Sequence, residues 1–176
     1  ATGLRGKRIG VLRDMFRKGD LVAAGNAQIE KQLELMRAQG AIVVDGLSTG
    51  VDLLGLMPTL RVNSYELQQS VDSYLRRRGP GSPVKTFAEL YASGQWLRGG
   101  VLETRFHETM KAGNLETNVE YQSRLANQKM VRQLLTGLMD RYGVDALVYP
   151  VKPLSAPKAG SADDGPRDNN ISAVTG

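Results

Sequence analysis

The chain has no cysteine, a single histidine, few aromatic residues and no long apolar run, and each shortage removes a class of function. Without cysteine there is no disulfide framework and no thiolate zinc site, which fits a reducing compartment, so a cytoplasmic location is expected. One histidine, His107, leaves no imidazole cluster for a transition metal. No stretch approaches the roughly 20 apolar residues that cross a bilayer, and the first residues lack the apolar centre of a signal peptide. A soluble chain with no membrane partner is expected. The 23 basic residues exceed the 18 acidic ones by a net charge of +5, but they are scattered, and aromatics make up only 6%. Arg76, Arg77 and Arg78 form the compact basic cluster. They fall at the end of a predicted helix, where cations complement the macrodipole, so a solvated face is favoured and no nucleic-acid partner is expected.

At 176 residues the chain is long enough for one domain with a real core. Lys7 to Leu12 reads as a buried strand in which Gly10 permits close backbone approach. A loop over Asp14 to Gly25 precedes a helix from about Asn26, with Ile29, Leu33 and Met36 on one face and Gly40 as its stop. Ala41 to Val44 is a second apolar strand, so the first part of the chain is a βαβ unit with parallel strands. The middle is helical. Asn63 or Ser64 caps a helix carrying Tyr65, Leu67, Val71, Tyr74 and Leu75. Residues 79–85 form a Gly- and Pro-rich break, read as a mobile loop, and Thr86 and Glu89 make a capping box for a short helix through Tyr91. Leu102, Phe106 and Met110 mark one more helix, over Leu102 to Lys111.

A second capping box, Thr117 and Glu120, opens a long helix. Its later face carries Val131, Leu134, Leu135, Leu138, Met139 and Tyr142 at the 3.6-residue period, and Gly143 stops it. Val144 to Tyr149 is a strand ended by Pro150, followed by an irregular tail over residues 151–176. The fold class is therefore α/β, a small mostly parallel sheet with a helical middle. In such sheets ligands sit outside the carboxyl ends of strands, which directs attention to the Asn- and Asp-rich tail.

The residues contain little recognisable chemistry. The loop after the first strand has no Gly-x-Gly-x-x-Gly, so no dinucleotide cofactor is expected. No Gly-x-Ser-x-Gly elbow occurs, and Glu103 with His107 is an ordinary i, i+4 surface pair. Asp163, Asp164 and Asp168 lack the EF-hand pattern and read as a solvated turn, so no metal site is expected. Tyr121, Arg124 and Gln128 form a polar stripe on the long helix. It either faces solvent, which is favoured, or borders a pocket.

Five stretches in order resemble the later portion of an amidase signature family enzyme. They are Leu4 to Leu12, Gly40 to Asp45, the helix at Tyr65-Glu66, Val144 to Pro150, and Asp168-Asn169-Asn170-Ile171-Ser172-Ala173-Val174-Thr175-Gly176. The resemblance implies hydrolysis of carboxylic amides without cofactor or metal. A nucleophilic serine, a second serine in a cis peptide and a lysine base carry that reaction, with backbone amides stabilising the oxyanion. In the family these groups lie upstream of the matched portion. No Gly-Gly-Ser-Ser-like stretch is present here, so no catalytic residue is carried over.

The resemblance further implies a fragment, a single partial domain lacking the catalytic core and inactive alone, whose parent acts on a small-molecule amide. Asn170 and Ser172 are the residues expected near substrate, the competing reading being that they only build the turn. Strand edges left open in such a fragment are expected to promote self-association. The rival is an autonomous α/β ligand-binding or assembly module without catalysis.

Overall fold

Strand β1 (Arg8–Leu12) lies at the centre of a three-stranded sheet of order β2-β1-β3, and pairs in parallel with both β2 (Ile42–Leu47) and β3 (Ala146–Val148). The computed structural model describes residues 3–152, 154, 158, 168 and 170–175. Helix α1 (Asp20–Ala38) joins β1 to β2, giving the βαβ unit expected from the apolar runs. The described residues group into two compact units, one of residues 1–60 with 128–176, the other of residues 61–127.

In the first unit the central strand is close-packed because it carries a glycine. A Cβ added to Gly10 would lie 2.6 Å from Leu47 Cδ2, 3.0 Å from Leu147 Cδ2 and 3.2 Å from Val144 Cγ2. Side chains belonging to both outer strands and the approach to β3 thus meet over the backbone of β1. Leu12, Met15, Leu47, Leu53 and Leu60 are wholly buried, with Val131, Leu135 and Leu138 of the long helix packed into the same cluster. Asp145 fixes the entry to β3 by accepting from the Arg8 backbone N–H at 2.7 Å.

Several element boundaries differ from those the sequence suggests. Helix α1 begins at Asp20, ahead of Asn26, and its first turn leaves Leu21 85% exposed, so no apolar period announces it. Strand β2 continues past Val44 to Leu47 through a register shift, which Gly46 accommodates at φ 76°. Helix α2 (Leu53–Leu56) and the 3₁₀ turn Met57–Leu60 were not foreseen. Both are too short for a periodic signal, yet Asp52 caps α2 by accepting from the Gly55 N–H at 2.9 Å. Within the tail expected to be irregular, helix α7 (Asn170–Thr175) forms, with Ile171 and Thr175 one turn apart on its buried side.

The second unit holds α3 (Asn63–Arg78), α4 (Phe87–Ser93), α5 (Gly100–Ala112) and the first turns of α6 (Val119–Tyr142). Its core is aromatic: Phe87 meets Phe106 edge-on at 4.9 Å between ring centres. Thr86 caps α4 as expected, accepting from the Glu89 N–H at 3.1 Å. The cap of α3 is Val62, with no side-chain bond, instead of Asn63 or Ser64. At α6 the cap falls one residue later than expected: Asn118 Oδ1 accepts from the Tyr121 N–H at 2.9 Å, while Thr117 donates back to Asn114 O. Lys85 ties the 79–85 segment down by donating to the carbonyls of Pro80 and Ser82 at 2.8 and 2.7 Å.

Replacing Gly10 by alanine should cost about 1–3 kcal/mol, because the new methyl meets buried side chains on more than one side. Urea unfolding of Gly10→Ala with an unchanged midpoint would contradict this packing.

Candidate functional site

The carboxyl ends of β1 and β3 open onto a cavity of about 210 Å³ in the first unit. The strands contribute Leu12 and Leu147 to its lining, and Tyr149 joins them just past the end of β3. Helix α6 adds Arg132, Leu135, Thr136 and Met139, and α7 adds Ile171, Ser172 and Thr175. The i, i+3, i+4 spacing that buries Leu135 and Leu138 places Arg132 and Thr136 beside that apolar face, at the cavity's edge.

A buried ion pair holds the tail where α7 can form this wall. Asp168 is 1% exposed and accepts a two-pronged fork from Arg17, Nε to Oδ2 at 2.9 Å and Nη2 to Oδ1 at 2.8 Å. The Asp168 N–H donates to Val151 O at 2.8 Å, so the residue is fixed by backbone and side chain together. The hydrogen bonds to Asp168 hold the Arg17 guanidinium above its ordinary pKa. Asn26, inside α1, donates to Arg17 O at 2.9 Å and braces the loop from the other side.

The neighbouring loops are tied down by charge as well. Asp14 accepts from the hydroxyl of Ser48 and from the N–H and hydroxyl of Thr49, the latter two at 2.6 Å. Burial opposes its charge, but these bonds prevail and hold the carboxyl below its ordinary value. Arg13 bridges Asp45 and Glu30, and its hydrogen bond lowers the Asp45 pKa.

The donors and acceptors on the cavity wall suit binding more than bond-breaking. Thr175 donates its hydroxyl to Ile171 O at 2.6 Å and Thr136 donates to Arg132 O at 3.0 Å, so each hydroxyl oxygen keeps acceptor capacity. No lysine, aspartate or glutamate is among the described lining residues. Among the described residues no group of three His, Asp or Glu side chains converges as a metal site. No described helix is long and apolar enough to cross a membrane.

Of the residues singled out from the sequence, Ser172 lines the cavity from α7 and is exposed. Asn170 begins that helix, and its side chain lies outside the described residues, as do Asp163, Asp164 and Asn169. Asp168 is a buried ion-pair partner and not part of a solvated turn. The polar stripe expected to face solvent is engaged instead: Tyr121 donates to Glu66 at 2.9 Å, Arg124 to Arg61 O at 3.0 Å, and Gln128 to Leu60 O at 2.7 Å. Arg132 and Thr136, which sequence reasoning missed, continue this stripe at four-residue steps, and that continuation was the available signal. His107 stands apart, in the second unit, with Tyr91 Oη 2.7 Å from Nδ1 and Glu103 3.6 Å from Nε2.

No protein-family model and no curated protein sequence matches the chain. Solved structures of amidases do. Native peptide amidase from Stenotrophomonas maltophilia is similar with a TM-score of 0.67 at 24% identity, over 99% of this chain and 35% of that one. The peptide amidase PAM in complex with the competitive inhibitor chymostatin gives 0.57 at 19% identity, over 99% and 36%. An amidase family protein from Bacillus anthracis str. Ames gives 0.54 at 23% identity, over 83% and 28%. The likeness establishes a shared fold, and the chain spans about a third of the length of these proteins.

Cutting the fork should loosen the wall. Arg17→Gln strands a buried carboxylate and should cost roughly 2–3 kcal/mol, less than the ~3–5 kcal/mol of a fully buried pair. The discount reflects Arg17, which is 34% exposed and so partly screened by solvent. A double-mutant cycle with Asp168→Asn reads the coupling directly, and additive effects of the two changes would rule the latch out.

Proposed function

We propose that this chain is the later portion of a carboxylic amide hydrolase, supplying scaffold and one wall of the substrate pocket, with the proton-transfer residues elsewhere in the parent protein. The observation that carries the reading is the fold: nearly all of the chain superposes on about a third of a peptide amidase. The matching stretches of sequence, in the order an amidase signature enzyme presents them, support it independently. So does the character of the cavity, whose described residues offer apolar surface, hydroxyl lone pairs and one guanidinium, but no lysine beside a serine.

In this reading the segment's work is positional. An amide is unreactive because nitrogen donates into the carbonyl, so attack requires a serine whose proton is taken and a carbonyl oxygen whose developing charge is stabilised. Those tasks belong to the remainder of the protein. The wall built by β1, β3, α6 and α7 holds the acyl portion of the substrate so that its carbonyl meets the nucleophile, and orientation of this kind accounts for a large share of enzymatic rate. Ser172, on the α7 side of the wall, and Asn170 at the start of the same helix are assigned to substrate contact.

Translating the reading frame that encodes the segment tests the proposal. A lysine followed by a glycine- and serine-rich stretch is expected ahead of residue 1. A frame that contains neither, together with ammonia release from simple carboxamides by the chain alone, would overturn it.

A further inference from the structure

The cavity has an electrostatic asymmetry that the reading above leaves unused. Its walls are apolar at Leu135, Met139, Leu147 and Ile171, yet Arg132 stands on the same lining. Three other arginines close to β1 are engaged. Arg13 bridges two carboxylates, Arg17 grips Asp168, and Arg8 donates to the carbonyls of Gly143 and Tyr142. Arg132 is exposed and makes no ion pair or side-chain hydrogen bond among the described residues. Among the described residues no acid pairs with it. Along α6 its neighbours one turn away are Gln128, Lys129, Leu135 and Thr136, and Lys129 adds a second positive charge. The buried carboxylate of Asp168 has both oxygens taken by Arg17.

The hydroxyls sharpen the asymmetry. Thr136 and Thr175 spend their hydrogens on carbonyls of their own helices, so Arg132 is the charged donor on this lining. A planar guanidinium presents a fork that fits a carboxylate with two parallel bonds, at the edge of an apolar recess where the rest of a ligand would be desolvated.

We propose that the cavity binds an apolar carboxylate, with its hydrocarbon part against Leu135, Leu147 and Ile171 and its anion on Arg132. The volume of about 210 Å³ is that of about seven water molecules, which suits a chain or ring of roughly six to eight heavy atoms. The proposal deepens the acyl-pocket reading and rests on it for biological meaning. The carboxylate belongs either to the acid that amide hydrolysis releases or to a second acidic group on the substrate, and Arg132 recognises the same chemistry in both.

Titration of the purified chain by calorimetry or amide NMR distinguishes these. The probes are 4-methylpentanoate, its neutral isostere 4-methylpentanamide, and the half-amide of adipic acid. Either anion should bind roughly 5- to 20-fold more tightly than the neutral amide, the range expected when one charge-assisted fork is added at a partly solvated site. Arg132→Gln should abolish that preference while leaving the weak binding of the neutral amide, and Arg132→Lys should restore part of it. Preference for the half-amide assigns recognition to the substrate, and preference for the simple acid alone assigns it to the product. Equal affinity for all three, no binding of any, or an anion preference that survives Arg132→Gln would overturn the inference. A reading frame without the upstream lysine would sink the amidase reading yet leave this selectivity standing, so the two failures are separable.

Discussion

The first unit is organised by how closely three parallel strands approach at one backbone position. Gly10, in the central strand, leaves room where Leu47, Leu147 and Val144 converge, and a methyl group there would displace at least one of them. That close approach brings β2 and β3 onto either side of β1 and sets their carboxyl ends level with one another. A cavity outside those ends then requires only a wall, which α6 and α7 supply. The wall in turn depends on the Arg17–Asp168 fork, because a six-residue helix has little stability of its own in water.

Two kinds of force act at this edge of the sheet. Leu12, Leu135 and Ile171 are buried or nearly so and contribute area-dependent stabilisation without direction. The charged groups do the opposite: Asp14, Arg13 and Arg17 contribute less net free energy but specify which loop meets which. Asp14 and Asp45 both have lowered pKa values, so what they contribute is present above the ordinary carboxylate range and is lost as pH falls through their lower folded values. Arg132 differs from this set in having no carboxylate to satisfy it among the described residues, which is the ground for proposing it as a binding group.

Much of the framework was legible in sequence because it rests on periodicity. The runs Ile9 to Leu12 and Ala146 to Val148, the 3.6-residue face from Val131 to Tyr142, and the stops at Gly40 and Gly143 each state a local preference that the fold keeps. What periodicity does not encode was missed. Helix α1 starts at Asp20 with an exposed Leu21, α2 is too short to show a repeat, and the cap of α6 passes from Thr117 to Asn118 by a choice of hydrogen bond. The site was less legible still. Ser172, which lines the cavity, was singled out through resemblance. Arg17 and Asp168, separated by most of the chain, carry no mutual signal in one sequence, and Arg132 is conspicuous only once the cavity beside it is known.

The proposed amidase role would account for an α/β segment that carries a shaped recess and, among its described residues, little reactive chemistry. Ligand pockets combine apolar surface with a few fixed polar atoms, and this cavity has both. The central claim is that the reacting serine lies outside residues 1–176, and it is tested most directly by treating the purified chain with a serine-reactive fluorophosphonate and weighing it intact by mass spectrometry. The account predicts an unmodified mass. A stoichiometric adduct that maps to a serine of this chain and is lost on denaturation before labelling would contradict it.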